Sequence, residues 1–145
     1  MDMKSFIGNV IAGVASSLMT YLLMFLTHKY RLKSKFSKLS GRYGQYTIDN
    51  DPITDGVTEV SYLTGNVILT KGESAEGRWE GRITMNEALP EFGSGIYQYI
   101  DTGRNDCGIH QIQVSPAKDM IYVLTTNTSH GRNNTFAYVW KRVQG

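Results

Sequence analysis

The feature that most constrains this chain lies near its start: FIGNVIAGVASSLMTYLLMFL, residues 6–26, twenty-one residues without a charge. As a helix rising ~1.5 Å per residue, such a run matches a ~30 Å hydrocarbon core. Asn9, Ser16, Ser17 and Thr20 lower its hydropathy, but hydroxyls and an amide are tolerated in a membrane helix far better than charges. A cleaved signal peptide is the rival. The apolar run continues past any small-residue cleavage site at Ala12 to Ser17, and the dense positive flank follows it rather than precedes it, so an uncleaved transmembrane helix is expected.

That flank also sets an orientation. Lys29, Arg31, Lys33, Lys35, Lys38 and Arg42 fall within fourteen residues that contain no acid, against the single Lys4 before the helix. The positive-inside rule then puts the N-terminus outside and everything after the helix in the cytoplasm of a cell (inner) membrane. The expected division is a transmembrane segment at 1–28, a basic juxtamembrane linker at 29–39 and a separate domain at 40–145. Gly8, Ala12, Ser16 and Thr20 recur every fourth residue, a stripe of small side chains through which membrane helices can associate.

The overall charge of +2 conceals a reversal along the chain. From Asp49 onward there are eight Lys or Arg against twelve Asp or Glu, a net of −4, so general nucleic-acid binding is not expected. Cys107 is the one cysteine, which excludes an internal disulfide framework.

After Leu39 the hydrophobic pattern changes to alternation broken by turn-forming clusters, the mark of many short strands. Eight are expected, near residues 41–48, 57–63, 66–71, 78–86, 95–102, 108–115, 120–127 and 135–143. In the fourth, Trp79, Gly81, Ile83 and Met85 alternate with Arg78, Glu80, Arg82 and Thr84, giving one core face and one wet face. The last strand carries large apolar residues on both faces, consistent with burial on both or a ligand on one. The expected fold is all-β, a small antiparallel up-and-down β-barrel of about eight strands, because closure removes exposed edges. A flattened sandwich is the alternative. Only the stretch from Asn86 to Phe92 has room for a helical turn.

No zinc pattern, phosphate-binding glycine loop or nucleophile elbow occurs, so no metal, cofactor or catalytic residue is assigned and the chain is not expected to be an enzyme. Cys107 and His110, three apart on a strand, face opposite sides and make no catalytic pair. What remains is aromatic and cationic material: the candidate ligand-binding residues are Arg42, Tyr46, Trp79, Arg82, Tyr99, His130, Arg132, Asn133, Tyr138, Trp140 and Arg142. Aromatic rings stack on bases and Arg forks engage phosphates. His130 to Asn134 is a donor-rich loop that reads either as a hairpin turn or as an anion contact.

The anchor, the basic run and the minimal eight-stranded domain, with Gly77-Arg78-Trp79-Glu80-Gly81 and Phe136-Ala137-Tyr138-Val139-Trp140, resemble the transmembrane β-rich effectors of bacterial cyclic-oligonucleotide antiphage systems. Members of that group usually have two membrane spans where this chain has one. The resemblance implies a barrel that senses a cyclic nucleotide, a homo-oligomer, and helices that cluster to damage the inner membrane. Two other readings stand beside it: a lipocalin-like tethered module for a small apolar ligand or lipid, and a non-catalytic adaptor subunit of a membrane complex.

Overall fold

The computed structural model describes residues 2–75, 77–100, 107–129 and 132–143. The chain divides into two compact units, Met1–Leu32 and Lys33–Gly145.

A single helix, α1 (Met3–Phe36), supplies the first unit and enters the second. It contains a window of mean hydropathy 1.9 in which no residue is buried, so it is long and apolar enough to cross a membrane. Its hydroxyls are satisfied internally: Ser17 Oγ donates to the Gly13 carbonyl and Thr20 Oγ1 to that of Ser16, each at 2.9 Å. This is how such side chains become compatible with lipid. The stretch expected as a linker is instead helical through Phe36. No Gly or Pro lies between Gly13 and Gly41 to break it, and Lys33 and Lys35 in the last turn complement the negative helix end.

In the second unit a 3-10 turn, Ser37–Leu39, leads into eight strands. They are β1 (Gly41–Thr47), β2 (Pro52–Thr64), β3 (Val67–Ser74), β4 (Gly77–Met85), β5 (Phe92–Tyr99), β6 (Cys107–Val114), β7 (Met120–Ser129) and β8 (Arg132–Arg142). Neighbours in sequence pair antiparallel, and β1 pairs β8, closing an up-and-down barrel. The sandwich alternative falls away. Alternation is clean on β6, where Gly108, His110, Ile112 and Val114 are buried inside while Cys107, Ile109, Gln111 and Gln113 are exposed outside. On β8 Trp140 is buried inward and Val139 is buried outward, so both faces are covered there.

Two local expectations change. The 86–92 connection holds no helix; Asn86 Oδ1 accepts from the amides of Ala88 and Leu89, folding it as a side-chain-capped turn. The donor-rich loop is shorter than expected, because Arg132, Asn133 and Asn134 already pair with Ser129, Thr128 and Asn127. The backbone ladder runs on where the hydrophobic alternation of the sequence has ended.

Strands β1, β3, β5 and β7 run toward one end of the barrel, here termed the mouth, and the others return to the base. At the base Phe36 and Leu39 are buried and Arg142 ties the parts together. Its guanidinium donates to the carbonyls of Ser40 (3.0 Å) and Lys38 (2.8 Å) and to Tyr43 Oη (2.7 Å), and its Nε to the carbonyl of Lys118 (3.3 Å). Tyr43 in turn donates to the Leu39 carbonyl at 2.8 Å. Burial pushes the Tyr43 phenol up, opposed by the Arg142 charge. Arg142→Met, which keeps the length and loses every donor, is expected to lower stability by ~2–3 kcal/mol in a denaturant titration. A loss below ~0.5 kcal/mol would show that water replaces these bonds at no penalty.

Candidate functional site

The interior changes character along its axis. Toward the base it is filled by Val60, Ile68, Ile83, Met85, Ile112, Val114, Ile121 and Val123, all buried. Toward the mouth the inward positions become Gln45, Thr58, Trp79, Tyr97, His110, Thr125 and Tyr138, with Trp140 between the two layers. An apolar plug therefore supports a polar, aromatic upper layer.

Glycine makes the room for those rings. Gly72, on β3 opposite Trp79, and Gly108, on β6 opposite Tyr97, lie directly under the neighbouring ring. A Cβ on Gly72 would stand 2.0 Å from Trp79 Cε2, and one on Gly108 would stand 2.6 Å from Tyr97 Cε1. The rings are thereby laid across the wall and meet near the axis. Trp79 stacks on Trp140 with centroids 5.9 Å apart, and Tyr97 stacks on His110 at 4.3 Å. His110 stands edge-on to both Trp79 (5.0 Å) and Trp140 (5.6 Å).

Above this layer a cavity of about 450 Å³ opens at the mouth, lined by Gln45, Thr47, Ile53, Trp79, Tyr97, Tyr99, Thr125, Asn127, Phe136 and Tyr138 among others. No charged side chain is among its described lining residues. Beneath it, burial pushes the His110 imidazole down to about 3, so the ring is neutral at physiological pH. Its Nε2 lies 3.5 Å from Tyr138 Oη, which also contacts Thr125 Oγ1. His110 Nδ1, Trp140 Nε1 and Asn127 Oδ1 are buried with no protein partner. Buried polar atoms are ordinarily hydrogen-bonded, so these three offer unused donor and acceptor capacity around the aromatic layer. The arrangement suits a flat, uncharged group carrying polar edges: rings to stack on, hydroxyls and an amide to hydrogen-bond, and no counter-charge.

Of the residues singled out from sequence, Trp79, Tyr99, Tyr138 and Trp140 come together here, Trp140 as part of the floor. Arg42, Tyr46 and Arg82 do not. By strand register all three point outward; Arg42 and Arg82 are exposed, and Tyr46 lies on the outer wall with Lys141 Nζ 4.7 Å from its ring. Arg142 is at the opposite end, held in the base clasp. His130 and the side chains of Arg132 and Asn133 lie outside the described residues. Sequence reasoning missed Tyr97, His110, Thr125, Asn127 and Gln45. The signal was parity: Tyr97 shares a face with Tyr99, and His110 shares one with Ile112 and Val114. Gly8, Ala12, Ser16 and Thr20 lie along α1, all exposed.

Among the described residues no cluster of His, Cys, Asp or Glu could hold a metal ion. Comparison with family models, with curated proteins and with solved structures finds no match to this chain.

Proposed function

We propose that this chain is a non-catalytic, membrane-tethered sensor whose barrel mouth takes a nucleobase of a cyclic oligonucleotide, and whose assembly gathers α1 helices to breach the inner membrane in antiphage defence. The observation that carries the reading is the aromatic chamber, open at one end and uncharged over its described lining, with buried polar atoms without protein partners around the aromatic layer. Bases are flat, neutral and edged with donors and acceptors, and stacking on an aromatic side chain contributes ~1–3 kcal/mol per base. The phosphates of such a ligand would stay outside the chamber, because its described lining carries no cation. The basic flank after the helix supports an orientation with the barrel on the cytoplasmic side.

The same absence of charge favours a second reading, a tethered module for a small neutral apolar ligand or lipid. An adaptor would have to dock through an exposed face, since a closed barrel offers no edge for strand addition.

Calorimetry of the full chain in phospholipid nanodiscs with cyclic di-, tri- and tetranucleotides separates these readings. Binding by one member is expected, and Tyr99→Ala and Phe136→Ala at the rim should each weaken it about tenfold or more. Phe136 is exposed and Tyr99 only half-buried, so neither truncation threatens the fold. No heat across the panel, with a neutral molecule recovered from the purified protein by mass spectrometry, would overturn the nucleotide reading in favour of the second.

A further inference from the structure

The outer wall of the barrel has two chemically different halves. Outward positions on β2, β3 and β4 carry Glu59, Lys71, Glu73, Arg78, Glu80 and Arg82, which keep that half in water. Strands β5, β6 and β7 contain no Asp, Glu, Lys or Arg at any position. Their outward positions present Phe92, Ile96, Ile109, Tyr122 and Leu124 as exposed apolar side chains.

Two shapes adjoin on this face. Ile96 and Ile109 are directly paired across β5 and β6 and stand 70% and 50% exposed, forming an apolar ridge. Two residues along β6 from Ile109, Gln111 enters the lining of a shallow groove of about 410 Å³, whose walls include Phe92, Tyr122, Leu124 and Val139.

We propose that this face is the contact between two copies of the chain, related by a two-fold axis that seats each ridge in the other's groove. Charge narrows the occupant. A partner that brought ionised groups to this wall would bury them without counter-charges, whereas a second copy brings the same uncharged wall. A ridge beside a groove on one patch is self-complementary, as a two-fold contact requires. Lipid is a poorer occupant: Gln98, Gln111 and Gln113 are interleaved among the apolar side chains, and β5–β7 offer no cation to anionic head groups. Because the barrel has no free edge, the contact is face to face.

Size sets its strength. Three strands ~4.8 Å apart, with about seven residues each rising ~3.4 Å, give a face of roughly 340 Å². Stable partners commonly bury about 800 Å² each. The contact is therefore weak between freely diffusing barrels and forms when tethering raises the local concentration of copies. The inference rests on the assembly half of the function proposed above and is independent of the ligand half.

The test counts copies of the full chain, one fluorophore each, by stepwise photobleaching in vesicles at fixed protein-to-lipid ratio, with and without the cyclic-nucleotide panel. Wild type is expected to pair. Ile96→Glu on the ridge and Leu124→Lys in the groove should each reduce pairs at least tenfold, while mixing the two variants restores them through one opposite-charge junction. Glu80→Lys on the charged wall should leave pairing unchanged. Pairing that persists in both single variants, or fails to return on mixing, overturns the interface, as does a wild type that stays monomeric under all conditions. Pairing that depends on Ile96 while calorimetry finds no member of the panel bound supports the interface and removes the ligand reading. Nucleotide binding retained by Ile96→Glu as pairing is lost supports both.

Discussion

Replacing Trp140 with Ala is expected to lower the unfolding free energy by ~3–5 kcal/mol, the range for truncating a fully buried large aromatic. The indole has no exposed surface and lies between the apolar plug and the upper ring layer, 5.9 Å from Trp79 and 5.6 Å from His110 between centroids. Truncation would remove the support beneath both rings. The wall around it is a closed hydrogen-bonded cylinder that cannot collapse inward as a pair of loosely packed helices can, so little of the cavity is recovered. Trp140→Phe is expected to be far milder, since the indole N–H has no protein acceptor to lose. Denaturant titration of the full chain in detergent checks both, and an alanine variant within ~1 kcal/mol of wild type would contradict the assigned role of Trp140.

The second large effect is a pH dependence centred on His110. Its imidazole is held down to about 3 by burial, against an ordinary value of 6.5. The folded state therefore binds this proton more weakly than the unfolded state. Stability from this group is fully present above pH ~6.5 and falls as acid is added, by at most ~1.4 kcal/mol per pH unit, down to about pH 3. The total is roughly 3–5 kcal/mol if the site stays dry. His110→Gln, neutral throughout, is expected to flatten that part of the stability-versus-pH curve. A variant whose slope between pH 6 and 4 equals that of wild type would assign acid sensitivity elsewhere. Asp119 is the alternative among the described groups: its hydrogen bond from Ser115 holds the carboxyl below its usual range, so it contributes at lower pH.

The barrel was largely legible in the sequence because a small closed sheet repeats one rule eight times. Each strand alternates inward and outward residues, and turn residues fall between them, as Asn50 with its φ of 74° and Gly65 with its φ of 55° do. Boundaries were less legible where polar strands end. Arg132, Asn133 and Asn134 continue the ladder with side chains that carry no alternation. The helix through the basic segment was missed for a related reason. Five cations at 29–39 suggest a solvated linker, yet Lys and Arg are good helix formers and nothing there breaks the helix.

The site was legible only in part because composition does not reveal side. Composition groups the arginines with the aromatics as stacking-and-phosphate pairs, but Arg82 differs by one residue in parity from Ile83 and so lies on the other surface of the same strand. Arg142 shares the parity of Trp140 but sits at the base, and distance along the axis cannot be read from parity. The glycines under Trp79 and Tyr97 gave no signal alone, since their meaning depends on which strand lies alongside.

Closure of the sheet through β1 and β8 also has a consequence for how the molecule is made. Tyr43 and Arg142 meet across 99 residues of sequence, a loop whose ends come together only against a chain entropy of about 4 kcal/mol plus a constant. The hairpins from β1 to β7 can therefore form early while leaving two bare flanks, which become protected together when β8 docks between them. Nascent chains crowded together during that interval can trade their eighth strands, so correct monomer depends on closing the last hairpin.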